Sequence, residues 1–143
     1  MKENILVSAC FLKGGYKYNG KDNICQKVLA LQEKYNFIII CPEVDGGLSS
    51  PRLPSEVVGN KVLNSCGDDV TKQFVDGANK ALDLAKKYNC KKAILKANSP
   101  SCGKGQIYDG TFSHKLVDGN GIACDLLIKN GISVYTEFEL DLL

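Results

Sequence analysis

The chain has 143 residues, 44% of them hydrophobic and 24% charged, with a formal net charge of +2. That length suits one compact domain, spanning 1–143, whose core buries roughly 70% of the surface an unfolded chain exposes. The charge balance gives no strong nucleic-acid signal and excludes a basic membrane-surface protein. No segment approaches the ~20 apolar residues of a membrane span. The apolar run in "MKENILVSAC" is too short for an export signal, so a cytoplasmic location is expected.

In chain order, "NILVSA" (4–9) reads as a buried strand, a short apolar run ending in small residues. Residues 22–35 carry Ile24, Val28, Leu31 and Tyr35 at helical spacing. "FIIIC" (37–41) is a second strand, rich in β-branched residues and stopped by Pro42. Residues 70–88 form the clearest helix, with Phe74, Ala78, Ala81, Leu82, Ala85 and Tyr88 on one stripe. Asp68, Asp69 and Thr71 supply its capping groups, and Lys86 and Lys87 match the dipole at its end. "KAILKA" (92–97) is a third strand, 119–130 a third helix stopped by Asn130-Gly131, and "ISVYT" (132–136) a fourth strand. Continuous apolar strands alternating with helices predict an α/β domain with a mostly parallel sheet. Two long irregular segments, 42–69 and 98–118, are functional candidates, because long loops in compact domains usually are.

There are seven cysteines: Cys10, Cys25, Cys41, Cys66, Cys90, Cys102 and Cys124. In a reducing compartment they point to metal binding or catalysis rather than disulfides, and an odd count cannot pair completely. No CxxC or CxH spacing supports a zinc finger. Ligands of open α/β sheets bind beyond the carboxyl ends of the strands. Cys10 closes the first strand, Cys41 closes the second, and Cys102 follows the third, so parallel strands would bring all three to one edge. The other four read as small packing or surface residues. Three thiols leave two cofactor options open: zinc completed by water or His114, or an iron–sulfur cluster. With three ligands, a four-iron cluster keeps one iron open to a soft sulfur atom.

"KANSPSCGKG" (96–105) resembles a phosphate cradle only superficially. A P-loop needs glycine at Asn98 and serine or threonine at Gly105. A phosphatase-like cysteine loop needs arginine six residues after the cysteine, where Tyr108 stands. His114, the only histidine, leaves a Cys–His nucleophile pair open. In "CPEVDGGLSSPRLPSE" (41–56), Glu43 lies two residues beyond Cys41; it either moves protons beside the site or forms an exposed ion pair with Arg52. Tyr16 and Tyr18 in "GYKYNG" either stack on a planar ligand or cover the core rim. "QIYDGTFS" (106–113) either covers the site from the opposite side or marks a plain turn at Asp109-Gly110.

Taken in order and spacing, "ILVSAC", "CPEVDGGLSSPR", "ILKANSPSCGKGQIYDGTFSHKLVDGNG" and "NGISV" resemble the 2-thiouracil desulfurase family, long catalogued as a domain of unknown function. The resemblance runs over nearly the whole chain. It implies a Rossmann-like α/β domain with about four strands flanked by helices. It also implies a 4Fe–4S cluster on Cys10, Cys41 and Cys102 with one open iron site, and Glu43 with Ser99 or Ser101 as catalytic residues. The implied partner is a small thiolated nucleobase, and the implied reaction is non-redox replacement of sulfur by water. A non-catalytic carrier or sensor using the same three cysteines is the alternative. The chain departs from many relatives at Lys17-Tyr18-Asn19-Gly20, where they carry Arg-Tyr-Asp-Gly, and at His114, where glycine is common. The loss of arginine's planar fork and of a carboxylate bears on substrate choice.

Overall fold

The computed structural model describes residues 2–12, 19 and 23–143. Strand β1 (Glu3–Ser8) is followed by a 3₁₀ turn over Ala9–Phe11, then helix α1 (Gln26–Leu29), continued as a 3₁₀ turn over Ala30–Glu33. Strand β2 (Tyr35–Ile40) leads directly into the short helix α2 (Pro42–Asp45). Next come hairpin strands β3 (Ser55–Val58) and β4 (Lys61–Asn64), the long helix α3 (Thr71–Lys87) and strand β5 (Lys92–Ile94). A second hairpin, β6 (Gln106–Tyr108) and β7 (Leu116–Asp118), precedes helix α4 (Ile122–Lys129) and strand β8 (Ser133–Tyr135). The chain ends in a 3₁₀ turn over Leu140–Leu142.

The main sheet has four parallel strands in the order β2-β1-β5-β8, flanked by helices, as the alternation of patterns predicts. The two long segments without a regular sequence pattern each hold a small antiparallel hairpin. These hairpins were hidden because strands of three or four residues with mixed burial carry little periodic signal. Helix α1 is shorter than the 22–35 pattern suggests and gives way to a 3₁₀ turn. Residues 16–18, with the two tyrosines and most of the Lys17–Gly20 departure, lie outside the described residues.

Alternation along the strands divides the core into two layers. Leu6, Ala93, Leu95 and Val134 pack with Ala81, Leu82 and Ala85 of α3 and with Cys124 and Leu127 of α4. On the other face, Ile5, Val7 and Ile94 pack with Phe11, Val28 and Tyr35. Tyr88, predicted inward, is instead 39% exposed as the residue that ends α3. The N-cap of α3 is Val70, which makes no side-chain cap bond; just before it, Asp69 Oδ1 accepts the Thr71 N–H at 2.9 Å.

Strand order decides where a ligand can sit. From β1 the chain goes to one side for β2 and to the other for β5. Such a reversal opens a crevice at the carboxyl ends of the strands, because the following loops diverge there. The register pairs Ser8 with Ile40 and Val7 with Ile94, so the loops after β1, β2 and β5 leave from one level.

Candidate functional site

The crevice is a cavity of about 280 Å³. Cys10, Cys41 and Cys102 all line it, as do Glu43, Ser99 and Ser101. Every candidate site residue from the sequence therefore meets in one place. The remaining thiols do not: Cys90 and Cys124 are buried in the α3–α4 core layer, Cys25 packs beside Val28, and Cys66 is exposed.

Each thiol is set by its backbone. Cys10 sits in the 3₁₀ turn after β1, in the segment whose flanks are tied by Asn23 N–H to Cys10 O and Cys25 N–H to Phe11 O. Cys41 is the N-cap of α2, and its N–H donates to Asp45 Oδ2 at 3.0 Å. Two glycines press this short helix onto α3. A Cβ on Gly77 would lie 1.8 Å from Pro42 O, and one on Gly46 would lie 2.0 Å from Gln73 O. Cys102 lies in a loop that serves as the cap of α4. The N–H groups of Ile122, Ala123 and Cys124, unpaired within a helix's first turn, donate to Pro100 O and Ser101 O instead. Gly121 allows that approach, since its Cβ would stand 2.5 Å from Ser101 C.

Burial pushes the Cys10 thiol up to about 11; a bond from Asn23 opposes this, the neighbouring Cys41 adds to it, and Lys96 pulls back. Burial also raises Cys41, with Glu43 adding and the Val44 N–H and Arg52 opposing. Burial raises Cys102 most strongly, against hydroxyl bonds from Ser101 and Ser8 and reinforced by both Cys10 and Cys41. The three thiols thus lie within electrostatic reach of one another. Ser8 Oγ and Ser101 Oγ each approach Cys102 Sγ at 3.6 Å.

Beside the thiols runs a hydrogen-bonded chain. Arg52 Nε donates to Glu43 Oε1 at 3.0 Å, and Ser101 Oγ donates to Glu43 Oε2 at 2.9 Å. Ser99 Oγ lies 2.9 Å from Ser101 Oγ and accepts the N–H groups of Ser101 and Cys102 at 3.1 and 3.0 Å. The Arg52–Glu43 pair is buried, with side-chain exposures of 8% and 13%, not the exposed ion pair weighed from the sequence. Pro51 and Pro54 flank Arg52 in the segment that returns it to Glu43 of α2.

Lys96 and Glu56, which sequence patterns did not single out, line the cavity together with Tyr108 and His114. Lys96 follows β5, lines the cavity and pairs with Glu137 at 2.8 Å. Glu56, the second residue of β3, is buried yet also lines the cavity. Tyr108, at the end of β6, and His114, in the β6–β7 loop, also line it, and their rings meet edge to face at 6.2 Å. The segment 106–113 therefore reaches the site and is also a turn, with Asp109 Oδ1 accepting the Thr111 N–H. Alternation could have flagged Lys96, a charge breaking an apolar strand; nothing local marks Glu56, whose placement depends on the hairpin.

The donor set is all sulfur. Burial holds all three thiols above their ordinary value, so a positive cofactor would be needed to keep them as thiolates; the hydroxyl groups at Cys102 and the lysine charge near Cys10 act in that direction. Among the described residues, no three His, Cys, Asp or Glu side chains are grouped to hold one metal ion. Three thiols lining one cavity are a donor set of the kind an iron–sulfur group takes.

Fold and site together define a parallel α/β protein with three thiols lining one cavity at the strand-order reversal. The family model of 2-thiouracil desulfurase matches residues 5–139, and the chain belongs to that family. It is 40% identical to the uncharacterized protein YbbK of Bacillus subtilis (strain 168), an alignment spanning 96% of this chain and 97% of that one. It is 41% identical to a solved structure of the 4Fe–4S-dependent thiouracil desulfidase TudS, with a TM-score of 0.92 over 99% of this chain and 95% of that one. No helix among the described residues is long and apolar enough to cross a membrane.

Proposed function

We propose that the whole chain acts as one desulfurase domain, replacing the sulfur of a thiolated pyrimidine such as 2-thiouracil with oxygen from water. The products are uracil and hydrogen sulfide, so no electrons are exchanged. Cys10, Cys41 and Cys102 hold a 4Fe–4S cluster with one iron free of protein ligands. When bound, the cluster supplies a soft, open Lewis-acid site that suits a thiocarbonyl sulfur. The reading draws support from family membership and from the 41% identity to TudS.

The chain's own residues do the rest. Glu43 takes the proton of the attacking water; Arg52 at Oε1 and Ser101 at Oε2 fix both of its oxygens. Ser99 holds the Ser101 and Cys102 N–H groups in place and completes the hydroxyl chain. Lys96 sets a positive charge near Cys10, offsetting the negative charge of gathered thiolates. The substrate is a free thiolated base in the cytoplasm, within reach of water and of a reduced thiol pool.

The observation that carries this proposal is the meeting of three strand-end thiols with the Glu43–Ser101–Ser99 chain in one cavity. Anaerobic purification is expected to give brown protein with four iron and four sulfide per chain, the composition of one such cluster. It is expected to release sulfide from 2-thiouracil. Cys10→Ser, Cys41→Ser and Cys102→Ser each lose the colour, while Cys66→Ser and Cys90→Ser keep it. Stoichiometric zinc without iron, in protein prepared without oxygen, would overturn the proposal. Glu43→Gln keeps the iron but lowers kcat by about 10²- to 10⁴-fold. A carrier or sensor would exchange sulfide equally well in that variant.

A further inference from the structure

Glu56 stands apart from the chain built on Glu43. It belongs to the β3 hairpin, is 7% exposed and lines the same cavity. One of its oxygens is fully used: Oε1 accepts the N–H groups of Gly110 and Phe112, at 2.9 and 3.1 Å. The other, Oε2, accepts no hydrogen bond and joins no ion pair among the described residues. Yet no sealed side-chain oxygen among them lacks a partner, so Oε2 keeps an open face. Glu56 lines the cavity, the open space beside this enclosed side chain that a ligand could reach. A carboxylate is an acceptor at both oxygens, so the open Oε2 can take a hydrogen bond from a ligand donor.

We propose that Glu56 is the residue that reads the base: Oε2 accepts a ring N–H of the pyrimidine while Oε1 holds the 109–114 loop in position. The inference rests on the desulfurase reading and adds the edge of the substrate that is recognised. A thiolated pyrimidine in its thioamide form carries ring N–H donors beside the thiocarbonyl carbon. Those donors match an acceptor-only carboxylate and are lost on N-methylation. A site built to bond a substrate donor discriminates strongly against the analogue without it. Glu56 also joins two parts of the wall, since the loop it ties down carries His114 and follows Tyr108. The contact is close: a Cβ on Gly110, at φ +91, would lie 2.8 Å from Val57 O.

Glu56→Gln separates the two roles. Its side-chain carbonyl can still accept Gly110 and Phe112, while its NH₂ turns a donor toward the ring N–H. The test measures uracil binding by calorimetry, and steady-state kinetics with 2-thiouracil and its 1-methyl and 3-methyl derivatives. The unsubstituted variant-free protein is expected to reject at least one methyl derivative. In Glu56→Gln, the uracil Kd and the KM for 2-thiouracil are expected to rise at least ~10-fold, with iron content and cluster spectrum unchanged, and the discrimination against N-methylation to shrink. Glu56→Ala adds loss of the loop anchor, read as faster proteolysis within 109–115. A Glu56→Gln protein with parental uracil Kd, KM and methyl discrimination would overturn the proposal, whatever Glu56→Ala does. Uracil binding that depends on Glu56 in a protein releasing no sulfide would sink the desulfurase reading and leave the base-reading role standing. Sulfide release with a KM indifferent to Glu56→Gln would do the reverse.

Discussion

At the residue scale, the two serines of "SPSC" divide their work. The sequence marks both and separates neither, because they flank Pro100 in one turn-forming stretch. Their hydrogen bonds do separate them. Ser101 is 2% exposed and donates to Glu43, whereas Ser99 accepts two backbone N–H groups and shapes the loop that carries Cys102. Ser101→Ala is therefore expected to lower kcat by about 10²-fold while iron content stays at the parental level. Ser99→Ala leaves two N–H groups without their acceptor, a loss of about 1–3 kcal/mol locally. Its expected signature is faster loss of the cluster in air, measured as the decay of visible absorbance, along with lower activity. Equal air half-lives for the two variants would contradict this division. Arg52→Gln tests the other end of the chain. It removes the cation from a buried pair, so Glu43 loses its anchor at Oε1. kcat is expected to fall with KM nearly unchanged, and Arg52→Lys to restore only part of it, because a single ammonium does not reproduce the planar fork.

At the element scale, the site depends on how closely α2 rides on α3. This was not legible in the sequence, where "VDGA" reads as an ordinary helical stretch and Gly77 as a weak point within it. In an exposed helix interior, Gly→Ala stabilises by roughly 0.5–1 kcal/mol. Here the sign is expected to reverse, because the new methyl would stand 1.8 Å from Pro42 O, a rigid backbone atom. Gly77→Ala must push α2 away and take Cys41 and Glu43 with it. We expect a loss of about 1–3 kcal/mol in urea unfolding, together with reduced iron content. A Gly77→Ala protein as stable as the parent and fully loaded would show that α2 yields freely. The long helix and the buried strands were legible because their periodicity runs over many residues. The β3–β4 and β6–β7 hairpins were not, since short half-buried strands leave no pattern, and they are what bring Glu56 and His114 to the cavity.

At the scale of the whole molecule, the parallel alternation was enough to place three distant cysteines on one edge, because strand order and direction fix where the connecting loops emerge. It also separated cavity thiols from core thiols, and the core thiols carry a consequence for stability. Cys124 is fully buried between α4 and the sheet, and burial pushes its thiol from 9.0 up to about 12. Cys90, at the foot of the same layer, is pushed up to about 11 for the same reason. In the unfolded chain both ionise near the ordinary value. Below about pH 9 folded and unfolded states hold these protons equally, so their contribution is constant. Above it the unfolded state releases them first, and stability falls by about 1.4 kcal/mol per pH unit for each thiol until its folded-state value is reached. Cys124→Ala removes one such thiol. At pH 7.5 the variant is expected to be less stable by about 1–2 kcal/mol, because a buried sulfur is lost. Between pH 9 and pH 10.5 the gap closes as the parent loses stability faster, and the two urea-unfolding curves converge. A gap that stays constant over that range would mean that Cys124 reaches solvent and ionises in the folded protein.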